Sequence, residues 1–123
     1  MGRVLLVALG GSIGSAARYL LSTVVQQAAR TEFPAGTFAV NILGCLLVGF
    51  VAGLFDRSIV TANTRLFLIA GVCGGFTTFS AFGLETMNLL NTNAVGLAAL
   101  NACGQFVVGV VAVWAGLMLA RIV

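Results

Sequence analysis

The residues able to do chemistry are concentrated in one run, Gly71-Val72-Cys73-Gly74-Gly75-Phe76-Thr77-Thr78-Phe79-Ser80-Ala81-Phe82-Gly83. Two adjacent glycines, three hydroxyls and three phenylalanines fill this stretch. Each glycine costs a helix about 1 kcal/mol relative to alanine, and threonine is also a weak helix former. In an otherwise apolar segment such a run predicts a helix broken near its middle. Broken backbone in a membrane is tolerated only where protein or a water-filled cavity surrounds it. Carbonyls freed at such breaks commonly coordinate cations. The competing reading is an unbroken, glycine-rich packing helix. Phe79 and Phe82, three residues apart, share one helical face, and Ser80 projects about 100° away from Phe79. Ring edges carry partial positive charge and can approach an anion without a full charge; ordinary packing is the alternative role.

The remaining polar candidates stand alone. Asn41 is the one amide deep in its apolar segment and must find a partner in hydrocarbon. It either bonds another helix or donates to a passing anion. Glu85 follows the Phe79–Ser80 stretch within two turns, at a vestibule or simply at the membrane interface. Arg18 either snorkels to the interface or faces a polar vestibule. Histidine and lysine are absent, and only Glu32, Asp56 and Glu85 are acidic. This excludes a Ser-His-Asp triad, a Cys-His pair, a histidine zinc site and histidine acid–base catalysis. The chain is therefore not expected to be an enzyme. Cys45, Cys73 and Cys103 are widely spaced in apolar stretches, which fits neither a disulfide framework nor a metal motif.

The elements that must position these residues follow from hydropathy. Charged residues make up 7% of the 123-residue chain, against about 25% in soluble domains, and mean hydropathy is +1.13. A spanning helix needs about 20 mostly apolar residues. Four segments qualify, at about 4–25, 37–55, 66–90 and 94–120. They consume the chain, predicting one all-α membrane domain over 1–123 that is multi-pass in the plasma or inner membrane. Arg3 with the apolar stretch after it and Ser15-Ala16-Ala17 could pass for a signal peptide, but three further spans make that reading unnecessary. Six dispersed arginines lack the clustering of nucleic-acid binders. Their distribution leans weakly toward cytoplasmic termini. Gly10 and Gly14, Gly49 and Gly53, and Gly71 and Gly75 have the spacing of tightly packed membrane helices.

Together these residues resemble the Fluc (CrcB-type) family of microbial fluoride channels over nearly the whole chain. The resemblance lies in Gly10-Gly11-Ser12-Ile13-Gly14 with Arg18, Pro34-Ala35-Gly36-Thr37 with Val40-Asn41, and Gly74-Gly75-Phe76-Thr77-Thr78-Phe79-Ser80-Ala81-Phe82 with Glu85. It implies a homodimer of antiparallel, dual-topology subunits in membrane lipid, with two fluoride pores and a third helix broken at the Thr-Thr pair. It implies a structural sodium ion held by the backbone carbonyls of Gly74 and Thr77. Phe79, Phe82, Asn41 and Ser80 match pore positions, with Thr78 and Gln105 as further pore candidates. Glu85 and Arg18 match the track end or vestibule. Ala81 and Gln105 depart from the family pattern, each standing where relatives often carry a small hydroxyl residue.

The expected function is passive, fluoride-selective export that lowers cytoplasmic fluoride. A proton-coupled exporter of cationic drugs would need a carboxylate deep in a span, and the first two spans carry Arg18 and Asn41 instead. A non-transporting assembly subunit would leave the Thr-Thr-Phe-Ser run unexplained.

Overall fold

The computed structural model of the protein describes residues 1–123. Helix α1 spans Gly2–Ala29, α2 spans Ala35–Asp56, and a short α3 covers Ala62–Arg65. A π-helical stretch, Leu66–Cys73, continues directly into α4, Gly74–Phe76. After an interruption come α5, Phe79–Asn91, and α6, Val95–Leu119. The elements from Ala62 to Asn91 form one interrupted span, so four segments are long and apolar enough to cross a membrane. The chain is a multi-pass membrane protein. The first and third spans start earlier than hydropathy placed them, because Gly2, Arg3 and Ala62–Arg65 extend the helices beyond their apolar stretches.

Each connection turns on one left-handed residue: Arg30, Ser58 and Asn93 have φ of 48°, 58° and 60°. Gln26 organises the first connection. Its Nε2 donates to the carbonyls of Thr31 (2.8 Å) and Phe33 (3.1 Å), and its Oε1 accepts from the Gly36 amide (3.0 Å). At the opposite end of the bundle Arg57 donates to the Ala120 carbonyl (2.5 Å), satisfying an end carbonyl of α6. There Arg65 also stacks over the Phe55 ring at 4.6 Å, a cation–π contact.

Only 20 of 123 residues are buried, so the helices cannot rely on a thick apolar core. Leu, Ile and Val side chains face outward instead, as lipid permits. Helix contact is made by close backbone approach at small residues. The π-helical stretch lies along the glycine face of α1. A Cβ on Gly10 would come within 2.6 Å of the Phe67 carbonyl oxygen, and one on Gly14 would overlap that of Val72. Helix α2 runs along α6, where Gly49 and Gly116 make the same kind of approach. The three glycine pairs singled out by spacing all lie at such contacts.

Gly14→Val forces a side chain into the Val72 carbonyl and the Phe76 amide. It is expected to lower the thermal midpoint in detergent, or to abolish monodisperse protein, at a cost of at least about 1–3 kcal/mol. Gly96→Ala, where a Cβ meets nothing within 4 Å, serves as the control. An unchanged midpoint for Gly14→Val would contradict this packing.

Candidate functional site

The interruption of the third span is two residues long. Thr77 (φ −88°, ψ 157°) and Thr78 (φ −151°, ψ 117°) are extended between α4 and α5. The hydrogen bonds explain how such a break survives away from water. The Thr77 amide and hydroxyl both donate to the Cys73 carbonyl, each at 2.9 Å. The Thr78 amide, which a continuous helix would direct to the Gly74 carbonyl, donates instead to Asn41 Oδ1 at 2.8 Å. Asn41 Nδ2 returns a bond to the Thr78 carbonyl at 3.1 Å. The Asn41 amide thus replaces a missing stretch of helix ladder for Thr78. Across the same gap, the Thr78 hydroxyl accepts from the Ala81 amide (3.2 Å) as the N-cap of α5. That takes the donor which helical geometry would give to the Thr77 carbonyl. The Thr77 carbonyl is left without a hydrogen bond, and the Gly74 carbonyl without the donor a continuous helix would give it. Gly44 of α2 makes room for the displaced chain, since a Cβ there would collide with Thr77 Cγ2.

Asn41 also begins a chain of polar side chains. Its Nδ2 donates to Gln105 Oε1 at 2.6 Å. Gln105 Nε2 donates to Asn101 Oδ1 at 3.0 Å, and Asn101 Nδ2 donates to Thr86 Oγ1 at 2.9 Å. The Thr86 hydroxyl donates to the Phe82 carbonyl at 2.7 Å. Both Asn41 amide hydrogens are committed in this arrangement. Gln105 has two amide hydrogens and spends one on Asn101. Asn41, Thr77, Thr78 and Gln105 share the wall of an open cavity of about 440 Å³ with Phe79, Phe82 and Phe106. The Phe79 and Phe82 rings are 5.3 Å apart and tilted by 43°, and Phe79 is 83% exposed.

The other candidates lie elsewhere. Ser80 is exposed, is not among the residues lining that cavity, and hydrogen-bonds with the Thr78 hydroxyl at 3.2 Å. Glu85 stands between two polar cavities toward the Arg30 end of the bundle. One, about 410 Å³, is lined with Glu32, Asn88 and Thr92; the other, about 340 Å³, with Ser22, Gln26 and Thr37. Glu85 Oε1 accepts from the Thr37 hydroxyl at 2.6 Å, while Oε2 is enclosed without a partner. Arg18, half-buried in α1, touches neither cavity. Asn101, Thr86 and Thr37 were not among the sequence candidates. Asn101 and Gln105, two amides four residues apart in an apolar span, were the available signal.

No cluster of three His, Cys, Asp or Glu could hold a metal. A cation would have to use the backbone, and the carbonyls of Gly74 and Thr77, deprived of their helical donors, are hard oxygen donors that suit sodium. One chain offers two of them, too few to replace a hydration shell.

Comparison with known proteins gives one answer. The family profile described as "CrcB-like protein, Camphor Resistance (CrcB)" matches residues 5–117. A relative from Methylobacillus flagellatus, named fluoride-specific ion channel FluC, is 49% identical, with 98% of this chain and 96% of that protein aligned. A protein of the same name from Nitratidesulfovibrio vulgaris is 44% identical, with both chains aligned in full. One from Flavobacterium psychrophilum is 41% identical over 98% of each.

Removing the Asn41 amide strands both polar groups of Thr78. Asn41→Leu, close in volume, is expected to destabilise the protein by about 1–3 kcal/mol for each group left unsatisfied. Thermal unfolding in detergent reads this; a midpoint equal to that of the parent would contradict the bridge.

Proposed function

The chain belongs to the CrcB family of fluoride channels, and we propose that it exports fluoride passively through a path lined by Asn41, Gln105, Phe79 and Phe82. It is a channel and not an enzyme. Fluoride is small and strongly hydrated, so a path must offer donors in place of water, firmly enough for entry and weakly enough for exit. The observation that carries the proposed path is the cavity that puts three phenylalanines and two amides together at the break. Gln105 supplies its uncommitted N–H, and Asn41 donates by exchanging its Gln105 partner for the ion. The Phe79 and Phe82 ring edges contribute partial positive charge. Ser80 and Thr78 carry hydroxyls on the neighbouring turn, and Glu85, between the two polar cavities, flanks the approach; Arg18, which lines none of these cavities, is assigned no part in the path. An inside-negative potential drives the anion outward by about 2.3 kcal/mol per 100 mV.

The working unit is proposed to be an antiparallel, dual-topology homodimer in the plasma membrane. Polar groups facing lipid at bilayer depth are costly, yet the cavity with Asn41, Thr77, Thr78 and Gln105 is open on its outer side, and Gly74 is exposed. A second copy would cover both and double the number of carbonyls deprived of helical donors. The carbonyls of Gly74 and Thr77 from both copies would then hold a sodium ion. Such an ion would supply positive charge that offsets the dipoles of these carbonyls. The residues of this chain do the rest: Asn41 keeps the Thr78 amide away from Gly74, and Thr78 keeps the Ala81 amide away from Thr77.

Purified protein in liposomes loaded with fluoride and chloride is expected to release fluoride and retain chloride. Replacing Phe79 and Phe82 together by Ile is expected to lower fluoride efflux by at least about tenfold, since ring edges contribute beyond their area. A parent that releases no fluoride would overturn the channel reading. A double variant with undiminished flux would overturn the proposed path.

A further inference from the structure

The polar chain from Asn41 to Phe82 has a direction. A backbone carbonyl can only accept and a backbone amide can only donate. At one end the Phe82 carbonyl takes the hydroxyl proton of Thr86, so Thr86 Oγ1 offers only lone pairs to Asn101. Asn101 must then present its N–H to Thr86 and its carbonyl oxygen to Gln105. Gln105 must in turn donate to Asn101 and turn its own oxygen to Asn41. Asn41 must donate to Gln105, which leaves its Oδ1 for the Thr78 amide. That amide can only donate, so the far end imposes the same polarity. The network closes around the first turn of α5, from Thr78 to Phe82, the turn that carries both phenylalanines.

We propose that Thr86 and Asn101 are positioning residues that fix, through this one-way relay, which amide hydrogen of Gln105 faces the cavity. Neither lines the cavity, and Asn101 is completely buried at 0% exposure. A buried amide with both ends satisfied is held tightly, and a head-to-tail chain polarises each member. Without the Thr86 hydroxyl, the Asn101 N–H loses its acceptor and the polarity is set from the Asn41 end alone. The Gln105 amide is then held from one side only, and its uncommitted N–H is no longer pinned toward the cavity. The inference rests on the fluoride path proposed above, but the orientation of Gln105 is a property of the fold and can be read separately.

The test compares Thr86→Val, Thr86→Ser and Asn101→Leu in purified, liposome-reconstituted protein. Thr86→Val keeps the shape and removes the hydroxyl; Thr86→Ser restores it. Fluoride efflux per folded protein is expected to fall by at least about tenfold in Thr86→Val and Asn101→Leu, with reduced preference over chloride, and to stay within about twofold of the parent in Thr86→Ser. The Gln105 side-chain amide resonances, assigned in glutamine-labelled protein, are expected to move in Thr86→Val and to stay in place in Thr86→Ser. This second readout stands even if the parent carries no fluoride, which would sink the channel reading alone. Should Asn101→Leu fail to fold, Thr86→Val decides. Parent-like flux or an unmoved Gln105 amide in Thr86→Val would overturn the relay, as would equal losses in the valine and serine variants.

Discussion

One hydrogen bond organises the rest: the Thr78 amide donates to Asn41 of α2 and not to the Gly74 carbonyl one turn back. The third span can break because a side chain supplies what the helix ladder gives up. The break in turn leaves two carbonyls without their helical donors and turns Phe79 and Phe82 onto a cavity beside the amide that holds it open. Buried polar groups are hydrogen-bonded almost without exception, and in lipid the requirement is stricter still. The Thr77 carbonyl, without a donor at the edge of the break, is what the proposed second copy and cation would satisfy.

The low charge of the sequence acquires meaning in this setting. A full positive charge in a fluoride path would hold the ion too firmly to release it. The cavity offers amides, hydroxyls and ring edges, and the six arginines lie elsewhere. Arg57 closes the end of α6 and Arg65 stacks on Phe55. Arg30 sits in the first turn with a left-handed backbone. Glu85 lies between two polar cavities, bonded through one oxygen to Thr37 and enclosed at the other, and does not line the cavity at the break.

Much of this was legible in the residues. Four apolar stretches gave the spans. The Gly74-Gly75 pair with Thr77-Thr78 marked the break, because poor helix formers in mid-span leave the backbone little reason to continue. Close-packed glycines followed from their spacing. The π-helical turn of Leu66–Cys73 was not legible: its residues are ordinary apolar helix formers, and the wider winding accompanies packing against α1. Asn41 was visible as an isolated amide, but its partners are 37 and 64 residues away in sequence. Only the fold shows that both its hydrogens are already committed. The role of Asn101 was hidden for the same reason, since it depends on a threonine of α5 and a glutamine of α6 meeting the same amide.

The claim at the centre is that this break is the joint between two copies of the chain, closed by a monovalent cation. An experimental structure of the purified protein with sodium replaced by thallium(I), read from the anomalous signal, tests it most directly. The account predicts a single thallium site at the break, ligated by the Gly74 and Thr77 carbonyls of two antiparallel copies. A break with no anomalous peak, or with those carbonyls bonded to protein donors, would contradict it.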